Sequence, residues 1–123
     1  DRDGVLHAID EADLLVLPST VETFGTVALE AMARRCPALV SPTCGIYSWP
    51  SLRQSLFVID QQETLADAVR RVAKLSHPQR GEIATRGRAA AGEFNHVTLQ
   101  QWTDLFHKIA LSARSRASIR RAS

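Results

Sequence analysis

The 123-residue sequence contains no apolar run near the roughly 20 residues that span a bilayer. Its first residues lack both the basic start and the apolar core of an export signal. Cysteine is scarce. Cys36 and Cys44 stand without a further Cys or His at metal-ligand spacing, which excludes a disulfide scaffold and a zinc module and fits a reduced, cytoplasmic compartment. An excess of one charge is also missing, since the formal net charge is only +2. The basic residues that tip the balance sit in the last dozen positions, where Arg114, Arg116, Arg120 and Arg121 have no acidic neighbour. A nucleic-acid partner is not expected, because its footprint would recur through the fold as a patch or stripe. The terminal arginines read as a solvated, disordered tail over residues 114–123. An anionic membrane face is the alternative contact for them, which would place the protein peripherally at an inner membrane surface.

What is present is an ordinary globular core, with 45% apolar residues and room for one domain over residues 1–113. Val5, Leu6, Ala8, Ile9 and Ala12 recur at helical spacing, and Leu14 to Leu17 form an apolar run stopped by Pro18-Ser19. Gly25 to Arg34 is rich in helix formers, with Arg34 and Arg35 where a helix dipole favours cations. Pro37 ends that helix and opens the short apolar strand Ala38-Leu39-Val40, followed by a turn-rich stretch from Ser41. Leu56 to Ile59 repeats the strand pattern. Leu65, Ala68, Val69, Val72 and Leu75 mark one helix face, and a further helix is predicted over 79–93. Phe94-Asn95 reads as a boundary, with Asn95 as N-cap of a last helix lined by Leu99, Trp102, Leu105, Phe106 and Ile109. Alternating strands and helices imply an α/β fold, a Rossmann-like parallel sheet with crossover helices. Three strands make a thin sheet, and the chain opens on Asp1 directly before helical sequence. It reads as a piece whose remaining strands lie upstream.

In open α/β sheets ligands bind beyond the carboxyl ends of the strands, which directs attention to the loop leaving Leu17. That loop runs Pro18-Ser-Thr-Val-Glu22-Thr-Phe24-Gly25 into a helix beginning at Thr26. A helix N-terminus offers unpaired N–H groups and a positive dipole end, and Gly25 lets a ligand approach them. Glu22 precedes the helix, while Glu30 lies one turn inside it on the face of Thr26. Two carboxylates would repel a bare phosphate. They suit a diphosphate with hydroxyls on both sides, which is the shape of a sugar nucleotide. Taken alone, the same pair also reads as a loop acid and a helix-surface acid, and Gly25 as a turn residue.

The stretch from Ala12 to Ala33, with a Glu, seven residues and a second Glu enclosing Phe-Gly, resembles the signature of the retaining glycosyltransferases of the GT-B fold, group 1. The resemblance implies the C-terminal, donor-binding domain of such an enzyme, transferring a hexosyl group to an acceptor hydroxyl with retention. It gives Glu22 the catalytic contact to the donor sugar. It gives the backbone of Phe24, Gly25, Thr26 and Val27 the sugar and phosphate, and Glu30 the ribose. It calls for no metal and no cofactor beyond the nucleotide sugar, which is substrate. The acceptor is left open among glycan, lipid and small molecule, and the N-terminal domain of the parent protein is the implied partner, without which the piece should be inactive. A non-catalytic module of the same fold, or a sugar-nucleotide epimerase or phosphorylase, are the alternatives. Two departures from the pattern stand out. Arg35 occupies a position where the family usually has Gly, and Cys44-Gly45-Ile46-Tyr47-Ser48 replaces a loop that commonly reads Gly-Gly and then Pro-Glu.

Overall fold

The computed structural model describes the backbone of residues 1–121 and the side chains of residues 1–112. Helix α1 (Arg2–Glu11) begins where the Asp1 carboxylate accepts the Gly4 N–H at 2.7 Å, a side-chain N-cap. It buries Ile9 against Ala31 and Cys36, with Leu15 and Val27 packed beside them. Strand β1 (Leu15–Leu17) follows, then helix α2 (Thr26–Ala33) and strand β2 (Ala38–Val40). A 3-10 turn (Gly45–Ser48) and the short helix α3 (Pro50–Arg53) lead to strand β3 (Phe57–Val58). Helices α4 (Leu65–Ala73) and α5 (His77–Arg121) complete the order.

The sheet has the order β1-β2-β3 and both pairings are parallel, with Val16 opposite Leu39 and Val40 opposite Val58. Parallel neighbours need crossover connections, and α2 supplies the first of them. The central strand is fully buried, whereas β1 and β3, each paired on one side, are only half-buried. Met32, Leu39, Val40, Ile46, Leu52 and Val72 fill the core around β2. Each such side chain contributes about 1.5–3 kcal/mol of burial. The predicted α/β sheet with its three strands is therefore what forms.

Helix α2 ends in a Schellman turn. Cys36 N–H donates to Ala31 O at 2.9 Å and Arg35 N–H to Met32 O at 3.1 Å, with Arg35 itself at φ 64°. This is the left-handed position at which the family resemblance expects Gly. Exposed ion pairs join α1 to α2: Arg34 donates through Nε and Nη2 to Asp10, and Arg2 lies 3.1 Å from Glu30.

Toward the C-terminal end the chain falls into two units, Asp1–Gly92 and Glu93–Ser123. The break at Phe94-Asn95, with Asn95 as a new N-cap, does not occur, because α5 runs unbroken from His77 to Arg121. An interior Asn costs a helix only a fraction of a kcal/mol, under about 0.7, and no proline follows Pro78. The same reason carries the helix through residues expected to be a disordered tail, since Ala113, Arg114, Arg116 and Ala117 are strong helix formers. The side chains of the terminal arginines, and with them the membrane contact expected of these residues, lie outside the described residues.

Within the first unit, Gly87 of α5 lies against Met32 of α2, and Ala91 is buried. In the second unit, Trp102 and Phe106 stack with centroids 5.9 Å apart. Leu99, Trp102, Leu105, Phe106, Ile109 and Leu111 on this part of α5 are exposed.

Candidate functional site

The loop between β1 and α2 occupies the carboxyl end of β1, beside the loop that leaves β2. Gly25 is the N-cap of α2, at φ 91°. A Cβ there would lie 2.7 Å from Cys44 Sγ and 3.3 Å from Leu17 Cδ2, so both backbone and space demand glycine. Thr26 and Val27 follow as the first two helical residues. Among the described residues their N–H groups have no hydrogen-bond acceptor, which is what a helix start leaves over. The Val27 side chain faces the Ile9, Ala31 and Cys36 cluster, so only its backbone is available to a ligand.

Glu22 is half-buried and turns toward this helix start. Its Oε1 accepts from Gly25 N at 3.2 Å and, more weakly, from Phe24 N at 3.4 Å. The carboxylate therefore stands on the two amides that precede Thr26, and its Oε2 has no hydrogen bond among the described residues. Phe24 packs its ring edge-on against Trp49 at 6.5 Å and 80°. Glu30, one helical turn on, is engaged by Arg2. Glu22, Phe24, Gly25, Thr26 and Val27 are thus contiguous around one helix N-terminus. Glu30 is carried by the same helix.

The neighbouring loop is built into the same place. Gly45 N–H donates to Glu22 O at 2.9 Å and Ile46 N–H to Phe24 O at 2.6 Å, forming a parallel bridge between Glu22 and Cys44. Cys44 Sγ lies 3.6 Å from Phe24 O. Burial pushes the Cys44 thiol above its ordinary range, and the nearby Glu22 charge adds to this, so it remains a protonated donor. Sequence reasoning missed this docking. A glycine directly after an apolar Cys was the available signal. The role of Arg2 had none, being 28 residues from its partner.

Cavities of about 580 and 160 Å³ lie elsewhere, one beside β3 and Arg71, the other around Asp13 and Arg35. The helix start between the two loops is instead an open surface of backbone donors and one carboxylate. Such a surface recognises an anion together with hydroxyl groups. Among the described residues no three of His, Cys, Asp and Glu gather as metal ligands would, and no helix is long and apolar enough to cross a membrane.

The profile of the glycosyl transferases group 1 family matches residues 1–90, which include the whole of this loop and helix. The chain belongs to that family. Two curated relatives agree with this assignment. Both carry the description GDP-mannose-dependent alpha-(1-6)-phosphatidylinositol dimannoside mannosyltransferase, from the H37Ra and CDC 1551 strains of Mycobacterium tuberculosis. Each is 34% identical over 100 residues, covering 74% of this chain and 26% of the relative. The chain thus spans about a quarter of the length of these relatives. As a group 1 glycosyltransferase segment, it carries the Glu22 to Glu30 element inside the matched region.

Proposed function

We propose that this chain is the donor-binding portion of a retaining hexosyltransferase that moves a sugar from a nucleotide diphosphate to an acceptor hydroxyl. The observation that carries this reading is the convergence of Glu22 with the Phe24, Gly25, Thr26 and Val27 amides at the N-terminus of α2, within the segment that matches the family. The Thr26 and Val27 amides and the helix dipole stabilise the departing phosphate, an electrostatic contribution of the oxyanion-hole type. Glu22 orients the donor hydroxyls through its free Oε2 and stabilises the positive charge that develops at the sugar. Glu30 accepts from the ribose hydroxyls once Arg2 yields it. No resident cofactor or metal takes part in this reading. The relatives' description makes GDP-mannose the first donor to test and a mannosylated lipid the first acceptor. The acceptor site belongs to the partner N-terminal domain, so the segment alone is inactive.

The test is made in the full-length parent enzyme. Glu22→Gln keeps an oxygen for the Phe24 and Gly25 amides while removing the charge. Its kcat with GDP-mannose should fall by a factor of about 100 or more while the fold is kept. The transferred sugar should retain the anomeric configuration of the donor. Unchanged kcat/KM, or an inverted product, would sink this reading.

A further inference from the structure

The loops leaving β1 and β2 meet with no clearance. A Cβ on Gly45 would fall on the Thr23 carbonyl, 2.6 Å from its carbon and 3.0 Å from Phe24 Cα. The Thr23-Phe24 peptide therefore rests directly on the Cα of Gly45. On the other side, Cys44 Sγ fills the space beneath Gly25 so closely that a Cβ at Gly25 would come within 2.7 Å of it. The two hydrogen bonds from Gly45 and Ile46 to Glu22 and Phe24 fix the remaining freedom.

We propose that Cys44 and Gly45 are positioning residues, which set the height of the Glu22 carboxylate and of the Phe24 and Gly25 amides above the sheet. Neither touches the donor in this role, which rests on the donor-site reading above. Both act through the backbone of residues 22–25. The Cys44 thiol supplies the support beneath Gly25 and a donor toward Phe24 O. The nucleotide half, held by Glu30 within α2, is one turn away from the supported loop. Displacing the loop should accordingly damage transfer more than it damages nucleotide binding.

The experiment compares Gly45→Ala, Cys44→Ala and Cys44→Ser with wild type in the full-length parent enzyme, using GDP-mannose as donor and GDP as the probe of the nucleotide half. Lifting the Thr23-Phe24 peptide by on the order of 1 Å should lower kcat by about 100-fold, while the GDP Kd stays within about threefold. Cys44→Ala should lower kcat less, and Cys44→Ser, which keeps a donor toward Phe24 O, should recover most of the loss. A Gly45→Ala kcat close to wild type overturns the proposal. A parallel loss of kcat, GDP affinity and melting temperature overturns it too, because that is the signature of a role in folding alone. Should Gly45→Ala not fold, the Cys44 pair decides by the same readouts. Failure of the donor reading shows separately, as wild-type enzyme that neither binds nor turns over GDP-mannose, and it removes the positioning role with it.

Discussion

Two single positions show how local backbone chemistry shapes this segment, and they act in opposite directions. At Gly25 a positive φ and the Cys44 sulfur both exclude a side chain. Gly25→Ala should therefore destabilise the chain by about 1–3 kcal/mol, the range for a residue forced into a sparsely populated conformation, read as a lower midpoint in urea. At Arg35 a non-glycine residue already sits at φ 64° in the Schellman turn. Replacing it by the residue that turn prefers should stabilise, so Arg35→Gly is expected to raise stability by about 1 kcal/mol. A urea midpoint for Arg35→Gly at or below that of wild type would show that other contacts of this side chain outweigh the strain. The Arg35 position was legible in the sequence because helix formers end there ahead of Pro37. The double constraint on Gly25 was not, since Cys44 is 19 positions away and only the fold brings it near.

At the scale of elements, strands and most helices were legible from apolar runs and 3.6-residue spacing, which are local properties. What escaped depended on details those patterns do not weigh. Helix α3 hid in a turn-rich stretch, although Pro50 stands at its first position, where proline is favoured. The start of α5 is marked by a capping box that was not read: Ser76 Oγ accepts from Gln79 N, and Gln79 Oε1 accepts from Ser76 N at 2.9 Å. Ser76→Ala should cost about 1 kcal/mol in a thermal or urea melt. A third tie, between α4 and the sheet, carries a pH signature. Arg71 binds both oxygens of Glu63 at 2.9 Å and donates to Val58 O at 2.8 Å, covering a carbonyl of the half-buried strand β3. The hydrogen bonds from Arg71 hold the Glu63 carboxyl below its usual range, although partial desolvation opposes this. A depressed carboxyl contributes stability above its unfolded pKa, about 4.3, and loses it as pH falls through the lower folded value. Glu63→Gln should thus be less stable than wild type at neutral pH, and the gap should close on acidification below about pH 4. A gap that stays constant between neutral and acidic pH would contradict this assignment.

The whole chain leaves surface uncovered in both of its units. In Asp1–Gly92 the strand β1, made of Leu15, Val16 and Leu17, is paired on one side only and stays half-buried despite being wholly apolar. Its outer hydrogen-bonding edge is the kind that sheets ordinarily cover. In Glu93–Ser123 the residues Leu99, Trp102, Leu105, Phe106, Ile109 and Leu111 are between 45 and 65% exposed. Of these, Leu99, Trp102, Leu105, Phe106 and Ile109 share one helix face by their 3.6-residue spacing, and an exposed apolar stripe of this kind drives association in water. Among the described residues, no salt bridge or hydrogen bond brings a cation to Glu22. Glu22 and Glu30 bring negative charge to the place where a diphosphate would sit, and Arg2 is already paired with Glu30. The isolated 123-residue chain should therefore self-associate and bind GDP-mannose weakly. Light scattering should give a mass above the 13.5 kDa of a single chain at roughly micromolar concentration and above, falling toward that value when Trp102 and Phe106 are both changed to Glu. Titration calorimetry with GDP-mannose should detect no micromolar site. A monodisperse 13.5 kDa species whose mass does not respond to those two substitutions, together with micromolar binding, would mean that the exposed stripe is not an association surface and that the helix start alone suffices to hold the donor.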